Sequence, residues 1–291
     1  MKQLFSFIVC ILLAFFCKAQ QTNIKFSHLT LKDGLSQSEV LTILQDKKGL
    51  MWFGTQDGLN QYNGFEFKVF SSDITDSTTI SNSFIHQVYQ DSSGLLWLAT
   101  ENGLNIYNIE QQSFENIIAK NTLGKSKNNV WSIAEDKKYI WAGVENQLIK
   151  IEKSTKKITP ISLSLSTNAK NLKIRKIKFI EQTTLFIATE GNGIIKFNTK
   201  DNSSIHYYSE NSGLKSNTTW DFYKYAENQL WIATNRGICI YNIKSDKISQ
   251  HAILNARINN ASVSTIFEDK SGIIWIGTEN SGLYKFKFLE N

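Results

Sequence analysis

Residues 46–62 read DKKGLMWFGTQDGLNQY. The phrase joins a polar turn, an apolar run with one Trp, a second Gly turn and a short amphipathic run. Nearly the same phrase returns at residues 91–107, DSSGLLWLATENGLNIY, and at residues 269–286, DKSGIIWIGTENSGLYKF. Working outward from Trp52, equivalent anchors stand at Trp97, Trp141, Phe186, Trp231 and Trp275, at steps of 45, 44, 45, 45 and 44 residues. A period of this length belongs to propeller blades with four strands each.

Every unit has the same internal order. A first alternating run is VLTILQD, IHQVYQD, VWSIAED, TWDFYKY or VSTIFED, and the more basic KIRKIKFI in the fourth unit. Asp-x-x-Gly follows at Asp46/Gly49, Asp91/Gly94 and Asp269/Gly272. Asp at the first turn position bonds the backbone ahead of it, and Gly takes the left-handed conformation that reverses the chain. The Trp-bearing second run is almost continuously apolar, as in a strand covered on both faces. A second tight turn leads to a third run (LNQYN, LNIYN, ICIYN) and a weaker fourth (FEFKVF, KISQH). Such a sheet cannot bury both faces alone, and standing in a circle with its copies does so.

The expected fold is therefore an all-β propeller of six four-stranded blades, starting near residues 38, 83, 128, 172, 217 and 261. The last unit reaches a third strand at LYKFKFLEN. Residues Ile24–Leu31 offer a spare strand that would complete this blade and latch the ring. The alternative is an incomplete seven-bladed ring, whose ends would not meet.

The first residues, MKQLFSFIVCILLAFFCKAQQ, have a basic start, a 13-residue apolar stretch from Leu4 to Phe16, and a small-residue cleavage pattern ending at Ala19. They read as a secretory signal over 1–19, with a propeller domain over 20–291 in the periplasm or outside the cell. Cleavage removes Cys10 and Cys17, leaving Cys239 in the apolar strand RGICIYN as a small buried hydrophobe. It also removes Lys2 and Lys18 and lowers the net charge from +6 to +4, an excess too small and too scattered to imply nucleic acid or an anionic membrane.

With the units aligned, DGLSQSEVLTILQDKKGLMWFGTQDGLNQYNG resembles the two-component regulator propeller repeat of periplasmic sensors in hybrid two-component systems of Bacteroidetes. The resemblance covers residues 24–291 and is tightest in units one, two and six. Unit three has Tyr139 in place of the turn Gly, and unit four has Phe186 for Trp and no Asp-x-x-Gly. It implies a sensory module for a saccharide, working with a partner sensor or a C-terminal signalling region. The family's histidine kinase has no counterpart among these residues, so no enzymatic role is carried over to any of them.

No catalytic or metal constellation emerges from the residues themselves. His28, His86, His206 and His251 lack metal-ligand spacing. No G-x-S-x-G, P-loop or G-x-G-x-x-G is present, and no cofactor is expected. Asp46, Asp91, Asp136 and Asp269 recur at one turn, which marks them as structural rather than as a glycosidase pair.

The functional signal is variation within the repeat. One position of the first strand reads Leu41, His86, Trp131, Arg175, Trp220 and Ser264, while its neighbours stay mostly apolar. First strands line a propeller's channel, so these residues are expected near its mouth. Two indoles, an arginine and a histidine suit a sugar by stacking and hydrogen bonding. The candidate ligand set is His86, Trp131, Arg175 and Trp220, joined by the second-turn residues Glu101, Glu145, Glu190, Asn235, Arg236 and Glu279. A protein-interaction scaffold on the same face, or a carbohydrate-active enzyme, are the competing readings.

Overall fold

The computed structural model describes residues 28–108, 111–117, 128–165 and 172–287. Blade 1 comprises β1 (Val40–Gln45), β2 (Met51–Thr55), β3 (Gly58–Tyr62) and β4 (Phe67–Phe70). Blade 2 comprises β5 (Ile85–Gln90), β6 (Leu96–Thr100), β7 (Gly103–Asn108) and β8 (Ser113–Asn116). Blade 3 comprises β9 (Val130–Glu135), β10 (Tyr139–Val144), β11 (Gln147–Glu152) and β12 (Ile158–Ile161). Blade 4 comprises β13 (Lys173–Glu181), β14 (Thr184–Glu190), β15 (Ile194–Asn198) and β16 (Ser204–Tyr207). Blade 5 comprises β17 (Thr219–Ala226), β18 (Gln229–Thr234), β19 (Gly237–Asn242) and β20 (Lys247–Gln250). Blade 6 comprises β21 (Val263–Glu268), β22 (Ile274–Thr278) and β23 (Leu283–Phe286). Each sheet is an antiparallel meander with its strands in chain order. The inner strands β1, β5, β9, β13, β17 and β21 pack in succession, one blade on the next.

The recurring Asp and Trp are two halves of one device. Trp52, Trp97, Trp141 and Trp275 donate their indole N–H to Asp46, Asp91, Asp136 and Asp269 at 2.7–2.9 Å. The other carboxylate oxygen takes backbone N–H groups of the turn, as Asp91 does from Leu95 at 2.9 Å. The turn glycines Gly49, Gly94 and Gly272 have φ of 89°, 97° and 73°, a region that disfavours a side chain. One residue type thus closes the hairpin and orients the anchor that packs between blades. Blade 5 lacks the Asp, and there Tyr225 stacks on Trp231 at 4.6 Å. Replacing the buried Asp91 by Ala should cost about 1–3 kcal/mol in urea unfolding, because a buried indole N–H loses its acceptor. Equal costs for Asp91→Ala and the half-buried Asp269→Ala would contradict this account.

Packing between blades is close. A Cβ added at Gly143 on β10 would lie 2.4 Å from Ile174 Cγ2 on β13 of the next blade. Cys239 is fully buried in the apolar layer between blades 4 and 5, with Phe222 and Tyr241. Pro160 sits on the outermost strand β12, where a missing N–H disrupts no further ladder.

The expected closure by Ile24–Leu31 is not what the described residues show. Residues 24–27, like the signal segment 1–19, lie outside them. Residues 28–30 are not strand, and Leu31 begins a 3-10 turn, Leu31–Asp33. Thr30 and Asp33 cap this turn reciprocally, and Gly34 ends it at φ 105°. Satisfying those backbone groups locally competes with strand pairing. Blade 6 accordingly has three strands among the described residues. The segment after β20 also holds a short helix, α1 (Ala252–Arg257).

Candidate functional site

The variable position owes its freedom to a β-bulge. In every blade the ladder between first and second strands slips by one residue. The residue skipped is Leu41 between Val40 and Thr42, and His86 between Ile85 and Gln87. In the other blades it is Trp131, Arg175, Trp220 and Ser264. A bulge residue has no cross-strand partner, and its side chain is re-aimed. Here all six are re-aimed into one pocket of about 390 Å³ on the propeller axis. Its remaining wall includes Phe84, Lys176 and Asp221.

Within the pocket the larger side chains form a pile. Phe84 lies 4.7 Å from His86, and His86 stacks on Trp131 at 3.9 Å with 29° between the planes. The Arg175 guanidinium sits 3.9 Å from the Trp131 ring centre and 5.4 Å from that of Trp220. Glu190 forms an ion pair with Arg175 and a second with Lys173 at 3.1 Å. Burial opposes ionisation of Glu190, but the bonds from Arg175 and Lys173 outweigh it and hold its pKa below the usual value. His86 Nε2 lies 3.3 Å from Asn129 Oδ1. Burial pushes the His86 pKa down to about 4, with the Arg175 charge acting the same way. The imidazole is therefore neutral at pH 7. Arg175 Nε and Trp220 Nε1 are both buried and have no hydrogen-bond acceptor.

The second-turn residues stand at the same end of the propeller. The backbone N–H groups of Glu101, Glu145, Asn235 and Glu279 donate to the carbonyls of Phe84, Asn129, Thr218 and Ser262, which lead into the inner strands. Glu101, Asn235, Arg236 and Glu279 are exposed there. Glu190 is the one that reaches into the pile. Sequence reasoning missed Phe84, Asn129 and Lys176, which lie just outside the bulge register. Among the described residues, no group of three His, Cys, Asp or Glu side chains is placed to hold a metal ion. No helix there is long and apolar enough to cross a membrane.

Similar proteins fit this geometry. The family profile described as Two component regulator propeller matches residues 34–57, 79–102 and 257–280, which cover the approach and first two strands of blades 1, 2 and 6. Histidine kinase P4 of Formosa agariphila is 49% identical over 76 residues, amounting to 26% of this chain and 6% of that protein. The extracellular domain ascribed to a hybrid two component system of B. thetaiotaomicron superposes with a TM-score of 0.74 at 24% identity. That superposition covers 90% of this chain and 35% of the other. Virginiamycin B lyase from Staphylococcus aureus superposes at a TM-score of 0.63 with 14% identity, over 87% of this chain and 85% of its own. At these identities the two structures share the fold alone, and the chain spans a small part of the kinase and about a third of the B. thetaiotaomicron domain. The chain thus carries the Two component regulator propeller repeat in blades 1, 2 and 6, on an arrangement of sheets that is matched along most of its length.

Proposed function

We propose that this chain is the extracytoplasmic ligand-binding propeller of a two-component sensor, and that it reads an oligosaccharide at the mouth ringed by the six bulge residues. One observation carries the reading: six side chains freed from their ladders converge on one pocket, and two buried donors there, Arg175 Nε and Trp220 Nε1, lack acceptors. Sugar hydroxyl and ring oxygens are acceptors of the right kind. Trp220 offers an indole face to a pyranose, while His86 and Arg175 already occupy the face of Trp131. Glu190 fixes the guanidinium that a ligand would meet, and the exposed Glu101, Asn235, Arg236 and Glu279 stand around the rim. The match to a histidine kinase supports a signalling context, with binding passed on by population shift to a partner or a kinase region elsewhere. Periplasmic location, reached by the 1–19 signal, belongs to the same proposal.

Isothermal titration against a panel of neutral and acidic oligosaccharides tests it. Binding by at least one, weakened about 10- to 100-fold in Trp220→Ala and in Arg175→Ala, is expected from the loss of a stacking or charged contact. A panel without binders, or a binder indifferent to both substitutions, removes the site.

A further inference from the structure

One inner strand departs from the others in the same sense several times over. β13 carries Lys173, Arg175, Lys176 and Lys178, and no other inner strand has a basic residue at the matching places. The place after the bulge is elsewhere an acceptor for the next blade. Thr42 accepts the Val88 N–H at 3.4 Å, Gln87 that of Ile133 at 2.9 Å, Ser132 that of Ile177 at 3.2 Å and Asp221 that of Ile266 at 3.2 Å. In blade 4 this place is Lys176, and an ammonium cannot accept. The Phe222 N–H turns to Asp221 Oδ1 at 2.8 Å instead.

The other cations of the strand have work within the fold. Lys178 restores the bond between blades 4 and 5, donating to the Phe222 carbonyl at 2.9 Å. Lys173 and Arg175 pair with Glu190. Lys176 does neither. It is half-buried on the pocket wall and forms no hydrogen bond or ion pair among the described residues. The neighbouring carboxylates are already committed. Glu190 holds Arg175 and Lys173, while Asp221 Oδ2 accepts from the Thr265 hydroxyl at 2.9 Å as well as from Ile266. Arg175 Nε and Trp220 Nε1, on the same pocket, are buried donors without acceptors. Removing an unpaired charge from water is costly. A lysine that gives up a blade-to-blade bond and gains no partner within the chain is placed for a partner from outside it.

We infer that the β13 wall of the pocket is an oxyanion site, which takes the carboxylate or sulfate group of an acidic saccharide against Lys176, Arg175 Nε and Trp220 Nε1. Such a group brings a negative charge and several acceptor oxygens together, and a neutral hydroxyl brings only the latter. The sugar ring rests on the function proposed above, whereas the demand for charge comes from β13 alone.

The test titrates the chain with glucuronate, galacturonate, sulfated hexoses, the matching neutral hexoses and inorganic sulfate. Calorimetry gives affinity, and the NMR signal of the Trp220 indole N–H reports the place. At least one acidic sugar should bind about 10-fold or more tightly than its neutral counterpart. Lys176→Met should weaken that sugar about 10- to 100-fold, and Lys176→Arg should restore most of the loss. Neither substitution should weaken the neutral counterpart or lower stability, because the Lys176 ammonium has no contact within the chain to lose. Uronate against sulfated sugar shows which oxyanion is taken. Inorganic sulfate bound through Lys176, with no sugar bound, would support the oxyanion site and remove the saccharide. A neutral sugar bound as tightly as its acid would remove the oxyanion site and keep the saccharide. An acidic sugar indifferent to Lys176→Met, or no binding by any of these probes, also overturns the inference.

Discussion

Trp97→Ala should lower the unfolding free energy by about 3–5 kcal/mol, the range for emptying a buried aromatic site. Trp97 is fully buried between blades 2 and 3, among Leu104, Ile106, Val130, Ile133 and Ala142. Its indole N–H is held by Asp91 at 2.9 Å. Neighbouring strands are pinned by their own ladders, so the cavity cannot collapse. The same substitution at the half-buried Trp275 should cost about 1–2 kcal/mol, because much of that ring keeps its contact with water. Denaturant titration of both variants reads the difference. Equal losses would mean that the side of blade 6 is covered in solution.

Lowering the pH from 6.5 to about 4 should destabilise the wild-type chain relative to His86→Gln by up to about 3 kcal/mol. The folded-state pKa of His86 is depressed to about 4 from an ordinary 6.5, first by burial and then by the Arg175 charge. Above pH 6.5 both folded and unfolded chains hold it neutral, and its contribution is fully present. Below that the unfolded chain takes up the proton first, and the contribution is lost as the pH falls through the folded value. Glu190 and Asp91, whose pKa values are also held low, lose their contributions at more acidic pH in both proteins, so the difference isolates the imidazole. Stability curves at several pH values, with the ring titrated by NMR, measure it. Parallel curves would place His86 in water rather than in the pile.

The fold was legible because its cause is repeated in letters. Asp46, Asp91, Asp136 and Asp269 each stand five or six residues before a Trp, and the hydrogen bond between them makes that spacing obligatory. The site was half legible. Changing side chains at Leu41, His86, Trp131, Arg175, Trp220 and Ser264 marked the register that the structure brings to one pocket, but the bulge that frees them has no residue of its own. It arises where two strands of fixed hydrophobic pattern pair out of step. The Arg175–Glu190 pair was not legible, since the acids at the second turns look alike and only Glu190 turns inward. The C-terminal end of the expected closing strand was misread, although Thr30-Leu-Lys-Asp33 is a capping box in plain view, and a capped turn is not strand. The helix α1 is too short for its periodicity to stand out from a loop.

The six slipped positions also bear on how such a protein changes over generations. A codon at one of them can drift without disturbing a single rung of the sheet, because no rung ends there. What lines the opening and what keeps the chain folded are thus written at different addresses, and selection can edit the first while leaving the second alone.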